Sequence, residues 1–209
     1  MVPMIPYGRV RRVVLRTEDP TERKVRFIAL LTSSLPKVGS RPVLAGGSAI
    51  EVYLDGVLRT GDMDIVYDVA LLKKVLKSWK FETGGGLRSW FNDELGLAVD
   101  MVGRELNGSY ERVTTITTPY GPATIIGIED LVLKRLASAK FWKVPTDFEQ
   151  AYLLVNAHGD RIDWTYLDEE AGNAGVRDLL QELKRALRSK RRKQSLMKDH
   201  LMRNPSRAE

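Results

Sequence analysis

Residues 43–64 read VLAGGSAIEVYLDGVLRTGDMD, and this stretch sets the expected architecture of the chain. Three apolar residues predict a short strand, two glycines a tight turn, and the residues from about Ser48 onward a helix. A second turn leads to another strand, which opens with Asp62 and Asp64. Because side chains alternate between the two faces of a strand, both carboxylates project from the same face, about 7 Å apart.

The two carboxylates on one strand face indicate a ligand, because they repel each other and add nothing to packing. A hard divalent cation, which prefers oxygen ligands, would offset that repulsion. Upstream, Gly46 and Gly47 allow the backbone to approach a ligand closely, and Ser48 lies where a helix N-terminus offers free N–H groups to a phosphate. A phosphate cradle beside a carboxylate metal site is typical of enzymes that transfer phosphoryl or nucleotidyl groups. The alternative is structural, since Asp is common in turns and Ser at helix caps.

An apolar strand, Gly-Gly-Ser, a helix and then Asp-x-Asp on the next strand resemble the nucleotidyltransferase superfamily typified by DNA polymerase beta. That family carries a third carboxylate on a later apolar strand, and Asp100 within LAVDMV (97–102) matches it. An unpaired carboxylate in an apolar strand is costly, which favours a functional role for Asp100. The run RTGDMD (59–64) also resembles the Arg-x-[Ser/Thr]-x-Asp-x-Asp motif of the toxin-like branch related to the AbiEii abortive-infection toxins.

The resemblance implies a catalytic role for each of the three aspartates. Asp62 and Asp64 would hold two Mg²⁺ ions, with Mn²⁺ as a substitute. Asp100 would hold the catalytic ion and accept the proton of the attacking hydroxyl.

The resemblance also implies a nucleotide-binding surface. The triphosphate of an NTP such as ATP would lie against Gly46, Gly47 and Ser48. Lys134, in the first helix of the C-terminal half, would contact the nucleotide phosphates. The match weakens in that half, because this chain has Thr146 where the toxin-like motif has a lysine. A solvated helix face is therefore the alternative for Lys134.

Charge is distributed unevenly along the 209 residues. The net charge is +6, but residues 184–203, called the basic tail below, contain nine Lys or Arg and one Asp, a balance of +8. The remainder of the chain is therefore −2. A basic segment on a near-neutral body predicts contact with nucleic acid, here RNA such as tRNA. The alternative is a solvated helix end or a disordered tail.

The patterns of apolar residues divide the chain into two parts. Strand patterns up to residue 126 and helical patterns after it predict an α+β fold. Its parts are a small mixed-sheet nucleotidyltransferase-like core over 1–126 and a C-terminal helical region over 127–209. Residues 1–14 fit either an edge strand or a packed arm. Gly84-Gly85-Gly86 lacks the Lys-Ser/Thr of a P-loop and predicts a plain loop.

Several classes of protein are disfavoured by composition. The chain has no cysteine, which excludes disulfides and thiolate metal sites. No apolar run approaches the ~18 residues of a membrane span, and the first seven residues lack the pattern of a signal peptide. We expect a cytoplasmic protein with no membrane partner.

Together these features predict a Mg²⁺-dependent nucleotidyltransferase that moves a nucleoside monophosphate from an NTP to an acceptor, with RNA or tRNA as the expected acceptor. Two alternatives stay open. One is a module that keeps the fold without turnover and binds RNA or a protein partner such as an antitoxin. The other is a nucleotidyltransferase that modifies a small molecule.

Overall fold

The computed structural model describes residues 4–36, 41–83 and 88–189. The chain divides into two compact units, Met1–Leu131 and Val132–Glu209. The described strands belong to the first unit, whereas the described part of the second unit is helical. The boundary between the units falls inside a continuous helix.

In chain order, the elements of the first unit are α1 (Tyr7–Arg16), α2 (Pro20–Ser34), β1 (Val43–Ala45), α3 (Gly46–Tyr53), β2 (Asp62–Val66), α4 (Val69–Ser78), β3 (Glu82–Thr83), β4 (Ser89–Asn92), β5 (Leu97–Gly103), β6 (Thr114–Thr118) and β7 (Gly121–Ile125). The helix α5 (Ile128–Phe141) crosses the boundary. It is followed by α6 (Pro145–His158), α7 (Trp164–Asn173) and a helix over 177–189, α8.

The strands form one mixed sheet in the order β3-β4-β5-β2-β1-β7-β6. β2 pairs with β5, and β1 with β7, in parallel, while the other neighbours are antiparallel. A mixed sheet with flanking helices, followed by a helical region, confirms the predicted α+β class. In the parallel β2–β5 pair, Asp64 lies directly opposite Asp100 and Asp62 opposite Ala98.

The two central strands bury one face and leave the other more open. Met63 and Ile65 on β2 and Val99 on β5 are fully buried, and each contributes about 1.5–3 kcal/mol to folding by leaving water. The three aspartates alternate with these residues and are exposed or half-buried. A slip of one residue in register would carry the carboxylates into the core, so the apolar pattern fixes their position.

The N-terminal segment is a packed helix. Tyr7–Arg16 forms α1, which packs against α2, so of the two alternatives the edge strand is wrong and a packed segment is observed. Val10, Val13 and Val14 recur at helical spacing and are buried. Burial of this apolar stripe outweighs the weak helix propensity of β-branched residues.

Buried leucines hold the helices of the second unit together. Leu154 on α6, Leu167 on α7 and Leu180 and Leu183 on α8 are fully buried. This is the amphipathic pattern expected of helices that pack on one another. Across the described residues of both units, no helix is long and apolar enough to span a membrane.

Candidate active site

Backbone register brings the three candidate carboxylates to one face of the sheet. Asp64 and Asp100 are direct partners on β2 and β5, so their backbones lie about 4.8 Å apart. Asp62, two residues before Asp64 on the same face, is exposed, whereas the other two are half-buried. The structure thus places the three aspartates that the sequence predicted as ligands on one face of two neighbouring strands.

These residues have the donor chemistry of a Mg²⁺ site without forming a complete protein cage. Over residues 4–36, 41–83 and 88–189, no group of three or more Asp, Glu or His side chains is gathered closely enough to hold a metal ion. Mg²⁺ commonly takes only one or two carboxylates and completes its shell with water and substrate phosphates. The oxygen donors of the three aspartates therefore match the chemistry of a Mg²⁺ site whose remaining ligands are not protein side chains.

Gly46 makes room for the Asp64 carboxylate. Its φ of +59° is a left-handed conformation that favours glycine. A Cβ built at this position would lie 1.6 Å from Asp64 Oδ2 and 2.6 Å from Asp64 Cγ. Any side chain here would displace the carboxylate. The first turn of α3 and Asp64 therefore form one closely fitted unit.

Gly47 permits a similar approach to the loop that precedes β2. A Cβ at this position would lie 2.6 Å from Thr60 Cγ2.

The N-cap residue of α3 is Ala45, which makes no side-chain cap bond. Because the first N–H groups of a helix have no intrahelical partners, this end of α3 offers donors suited to an anion.

The side chain of Ser48 faces inward. It is fully buried, and its hydroxyl donates to the Asp62 carbonyl oxygen. Ser48 Oγ also lies 2.8 Å from Thr60 Oγ1 and accepts from Lys24 Nζ at 3.1 Å. Ser48 therefore joins α3 to the start of β2. Any contact of Ser48 with a phosphate would come from its backbone N–H, since the hydroxyl is occupied.

A buried ion pair that the sequence did not predict lies beneath this loop. Lys24 Nζ is 2.7 Å from Glu51 Oε2, and the two side chains are 7% and 0% exposed. Lys24 also donates to the Thr60 carbonyl at 2.7 Å and to Thr60 Oγ1 at 3.0 Å. Glu51 accepts from the Thr60 N–H at 3.0 Å and from Thr21 Oγ1 at 2.8 Å. Thr60 is thus held through both its N–H and its carbonyl by side chains of α3 and α2.

The surroundings of Glu51 favour its ionised form. Burial raises the pKa of Glu51, but hydrogen bonds from Lys24, Thr60 and Thr21 outweigh burial, so the pKa lies below its ordinary value. The carboxylate is therefore charged at neutral pH, and the buried ammonium of Lys24 has a counter-ion.

The remaining predicted site residue, Lys134, belongs to the second unit and lies half-buried on α5. Two charged residues near it in the sequence take part in ion pairs within that unit. Lys140 contacts Asp178 at 2.7 Å, and Asp147 contacts Arg135 at 3.2 Å. These pairs give Lys140 and Asp147 structural roles.

The basic tail is described only over 184–189, and residues 190–203 lie outside the described residues, as does Gly84-Gly85-Gly86. Lys184 is 2.6 Å from Asp168, and its Nζ lies 5.0 Å from the centroid of the Trp164 ring. This lysine therefore has a structural role in the second unit.

A cavity of about 380 Å³ is lined in part by Trp164, Lys184 and Arg188, and none of the three aspartates lines it.

The solved structures that are similar to this chain include the following two. The chain is similar to an antigenic nucleotidyltransferase-like protein from Paracoccidioides brasiliensis, with 16% identity and a TM-score of 0.49 over 80% of this chain and 94% of that chain. It is also similar to the antibiotic-resistance factor ANT(2'')-Ia in its solution structure, with 16% identity and a TM-score of 0.44 over 87% of this chain and 99% of that chain. No protein-family model and no curated protein matches the chain. These similarities do not assign the chain to a family.

Proposed function

We propose that the chain is a nucleotidyltransferase, which transfers a nucleoside monophosphate from an NTP to an acceptor hydroxyl and releases pyrophosphate. The observation that carries this proposal is the pairing of Asp64 with Asp100 on one sheet face, next to the two-glycine N-terminus of α3. An NTP–metal substrate presents a cation and phosphate oxygens together. Neighbouring carboxylates and a helix N-terminus are the groups that bind these two parts.

In the proposed complex, the nucleotide binds where α3 meets β2. The backbone N–H groups at the start of α3, from Gly46 to Ser48, hold the triphosphate. The three aspartates would hold Mg²⁺ or Mn²⁺. The hydroxyl of Ser48 has a separate task, since it ties α3 to the Asp62 carbonyl.

In the proposed reaction, the protein's residues position the reactants and move one proton. Bound Mg²⁺ supplies charge neutralisation on the phosphates and lowers the pKa of the acceptor hydroxyl. Asp100 takes the hydroxyl proton as the acceptor oxygen forms its bond to the α-phosphorus. The bond from that phosphorus to pyrophosphate breaks. Asp62 and Asp64 would hold the cation that neutralises the phosphates, since carboxylates alone repel phosphate oxygens.

RNA is the proposed acceptor, and the basic tail is its proposed binding segment. The support is the charge of +8 over residues 184–203 of a chain whose remainder is −2. Within the described part of the tail, Arg185 and Arg188 are exposed. Since Lys184 contacts Asp168, the charges available to phosphates begin at Arg185.

Thermal unfolding with each NTP and Mg²⁺ tests nucleotide binding. The wild type should be stabilised, by about 2.7 kcal/mol at a hundredfold excess over Kd. Asp62→Asn combined with Asp64→Asn should abolish this gain and leave the apo protein folded, because the change relieves repulsion. Asp55→Asn combined with Asp93→Asn is the matched control, since it removes the same charge from two exposed turn positions. A site variant that responds to nucleotide as the wild type does would show that the site is assigned wrongly.

A further inference from the structure

We infer that Lys24 is a positioning residue, which holds the segment entering β2 so that Asp62 and Asp64 keep their places beside the glycines of α3. Lys24 reaches this segment from α2, far away in the sequence. Four oxygens surround the three N–H donors of its ammonium group: Glu51 Oε2 at 2.7 Å, the Thr60 carbonyl at 2.7 Å, Thr60 Oγ1 at 3.0 Å and Ser48 Oγ at 3.1 Å. Two of the four belong to Thr60, the residue that precedes Gly61 and Asp62.

The contacts form a chain from the buried ammonium to the two aspartates. Lys24 fixes the carbonyl of Thr60, and Ser48, which Lys24 also contacts, donates to the carbonyl of Asp62. Two closely spaced anchors on the backbone thus define the path of the strand as it starts. Asp64 follows two residues later, with its carboxylate against Gly46.

The burial of Lys24 shows that the arrangement is specific. A lysine is rarely buried unless it is paired, and this one is 7% exposed with a fully buried partner. A buried ion pair is weak evidence for stability, because apolar residues of similar volume often stabilise a fold as well or better. What an apolar pair could not do is hold the Thr60 carbonyl and N–H at once. The geometry therefore points to positioning rather than to stability alone.

This inference rests on the proposed function for its catalytic consequence but not for its structural content. Residues that orient metal ligands typically change metal affinity or activity 10–100-fold when they are replaced. Loss of the Lys24 anchors should therefore weaken Mg²⁺–NTP binding by that factor. It should also loosen the backbone around Thr60 whether or not a nucleotide is present.

The test uses Lys24→Met combined with Glu51→Gln in the full chain. The pair leaves no uncompensated buried charge, and the glutamine can still accept from the Thr60 N–H. Lys74→Met is the matched control, because Lys74 is exposed on α4. Two quantities are measured: hydrogen exchange of residues 59–64 relative to β5 in the apo protein, and the Mg²⁺–NTP concentration that gives half-maximal thermal stabilisation.

We expect the double variant to fold, with exchange of residues 59–64 at least about tenfold faster and half-maximal stabilisation at 10–100-fold higher Mg²⁺–NTP. The control should match the wild type in both. If residues 59–64 exchange no faster relative to β5, or if nucleotide affinity is unchanged, the positioning role is overturned. Should Lys24→Met with Glu51→Gln fail to fold, Thr60→Val is measured in the same way, because it removes one acceptor of Lys24 and leaves both buried charges paired. If no NTP stabilises the wild type but residues 59–64 exchange faster in the variant, the proposed function fails. The role of Lys24 in positioning the backbone of residues 59–64 then stands.

Discussion

Replacement of Gly46 by alanine tests the close fit between α3 and Asp64. Gly46 and Gly96 have nearly the same backbone conformation, with φ of +59° and +60°. Their surroundings differ, because a Cβ at Gly96 meets nothing within 4 Å, whereas one at Gly46 lies 1.6 Å from Asp64 Oδ2. The left-handed conformation costs a non-glycine residue about 1–2 kcal/mol, so Gly96→Ala should lower the free energy of unfolding by that amount. Overpacking against Asp64 adds about 1–3 kcal/mol, which brings Gly46→Ala to about 2–5 kcal/mol in total.

Urea denaturation of both variants, without metal or nucleotide, measures the difference. Combining Gly46→Ala with Asp64→Ala removes the carboxylate that the new methyl would strike. The two substitutions should therefore couple by roughly 0.5–3 kcal/mol, with the double variant more stable than the sum of the single effects predicts. Nucleotide-induced stabilisation should also be lost in Gly46→Ala and kept in Gly96→Ala. Equal destabilisation by Gly46→Ala and Gly96→Ala, with no coupling to Asp64, would refute the reasoning.

Three further predictions concern the buried network, the contact of Tyr53 with the Ile126 carbonyl, and the basic tail. Glu51→Gln should cost about 3–5 kcal/mol at neutral pH, because it leaves Lys24 unpaired. The folded-state pKa of Glu51 is lowered below 4.5. The higher free energy of unfolding of the wild type should therefore be fully present above pH 4.5 and disappear as the pH falls through the folded-state pKa. Denaturation at a series of pH values measures this difference. The Tyr53 hydroxyl donates to the Ile126 carbonyl at 2.7 Å, and burial raises the pKa of Tyr53 to about 12. The difference in free energy of unfolding between the wild type and Tyr53→Phe should therefore be constant below pH 10. It should shift against the wild type as the pH rises from 10 to about 12, because the unfolded chain ionises first. Truncation after Leu187 should weaken RNA binding and leave nucleotide-induced stabilisation intact. The slope of log binding constant against log salt concentration should fall in magnitude by roughly 0.7–0.9 for each phosphate that the tail neutralises. An unchanged slope would show that the tail does not bind RNA.

The sequence predicted the centre of the sheet well because local rules agree there. Apolar residues, glycines and aspartates follow one another at spacings that suit a strand, a turn and a helix, and β1 and β2 occur where these rules place them. The helix α3 begins at Gly46 rather than near Ser48, so the two glycines form its first turn instead of a separate tight turn. Asp100 was recognisable because a carboxylate stands out in an apolar strand. Its register opposite Asp64 needed the structure, since strand order is not visible in a single sequence.

The parts that were not predicted depend on contacts distant in the sequence. The order of valine and arginine in residues 7–16 fits neither a strand nor a helix clearly. These residues form a helix because that conformation buries Val10, Val13 and Val14, and the helix packs on α2. Lys24 was overlooked because lysine normally indicates a solvated face. A signal was present, since Lys24 precedes Ile28 and Leu31 by helical spacings and so lies on the buried stripe of α2. Its partner Glu51 and the inward hydroxyl of Ser48 could be identified only once α2 and α3 were placed together.

The transfer of label from NTPs tests the central claim most directly. Each NTP, labelled in turn at the α- and the γ-phosphate, is incubated with Mg²⁺, total RNA and either the wild type or Asp100→Asn. The wild type should transfer the α-label to RNA and release the γ-label as pyrophosphate, while Asp100→Asn should bind nucleotide and transfer nothing, because Asp100 serves the attacking hydroxyl. The account is contradicted if the γ-label is transferred, or if Asp100→Asn transfers as much α-label as the wild type. It is also contradicted if the wild type binds nucleotide without transfer to RNA, protein or small acceptors, and this result would favour a binding module.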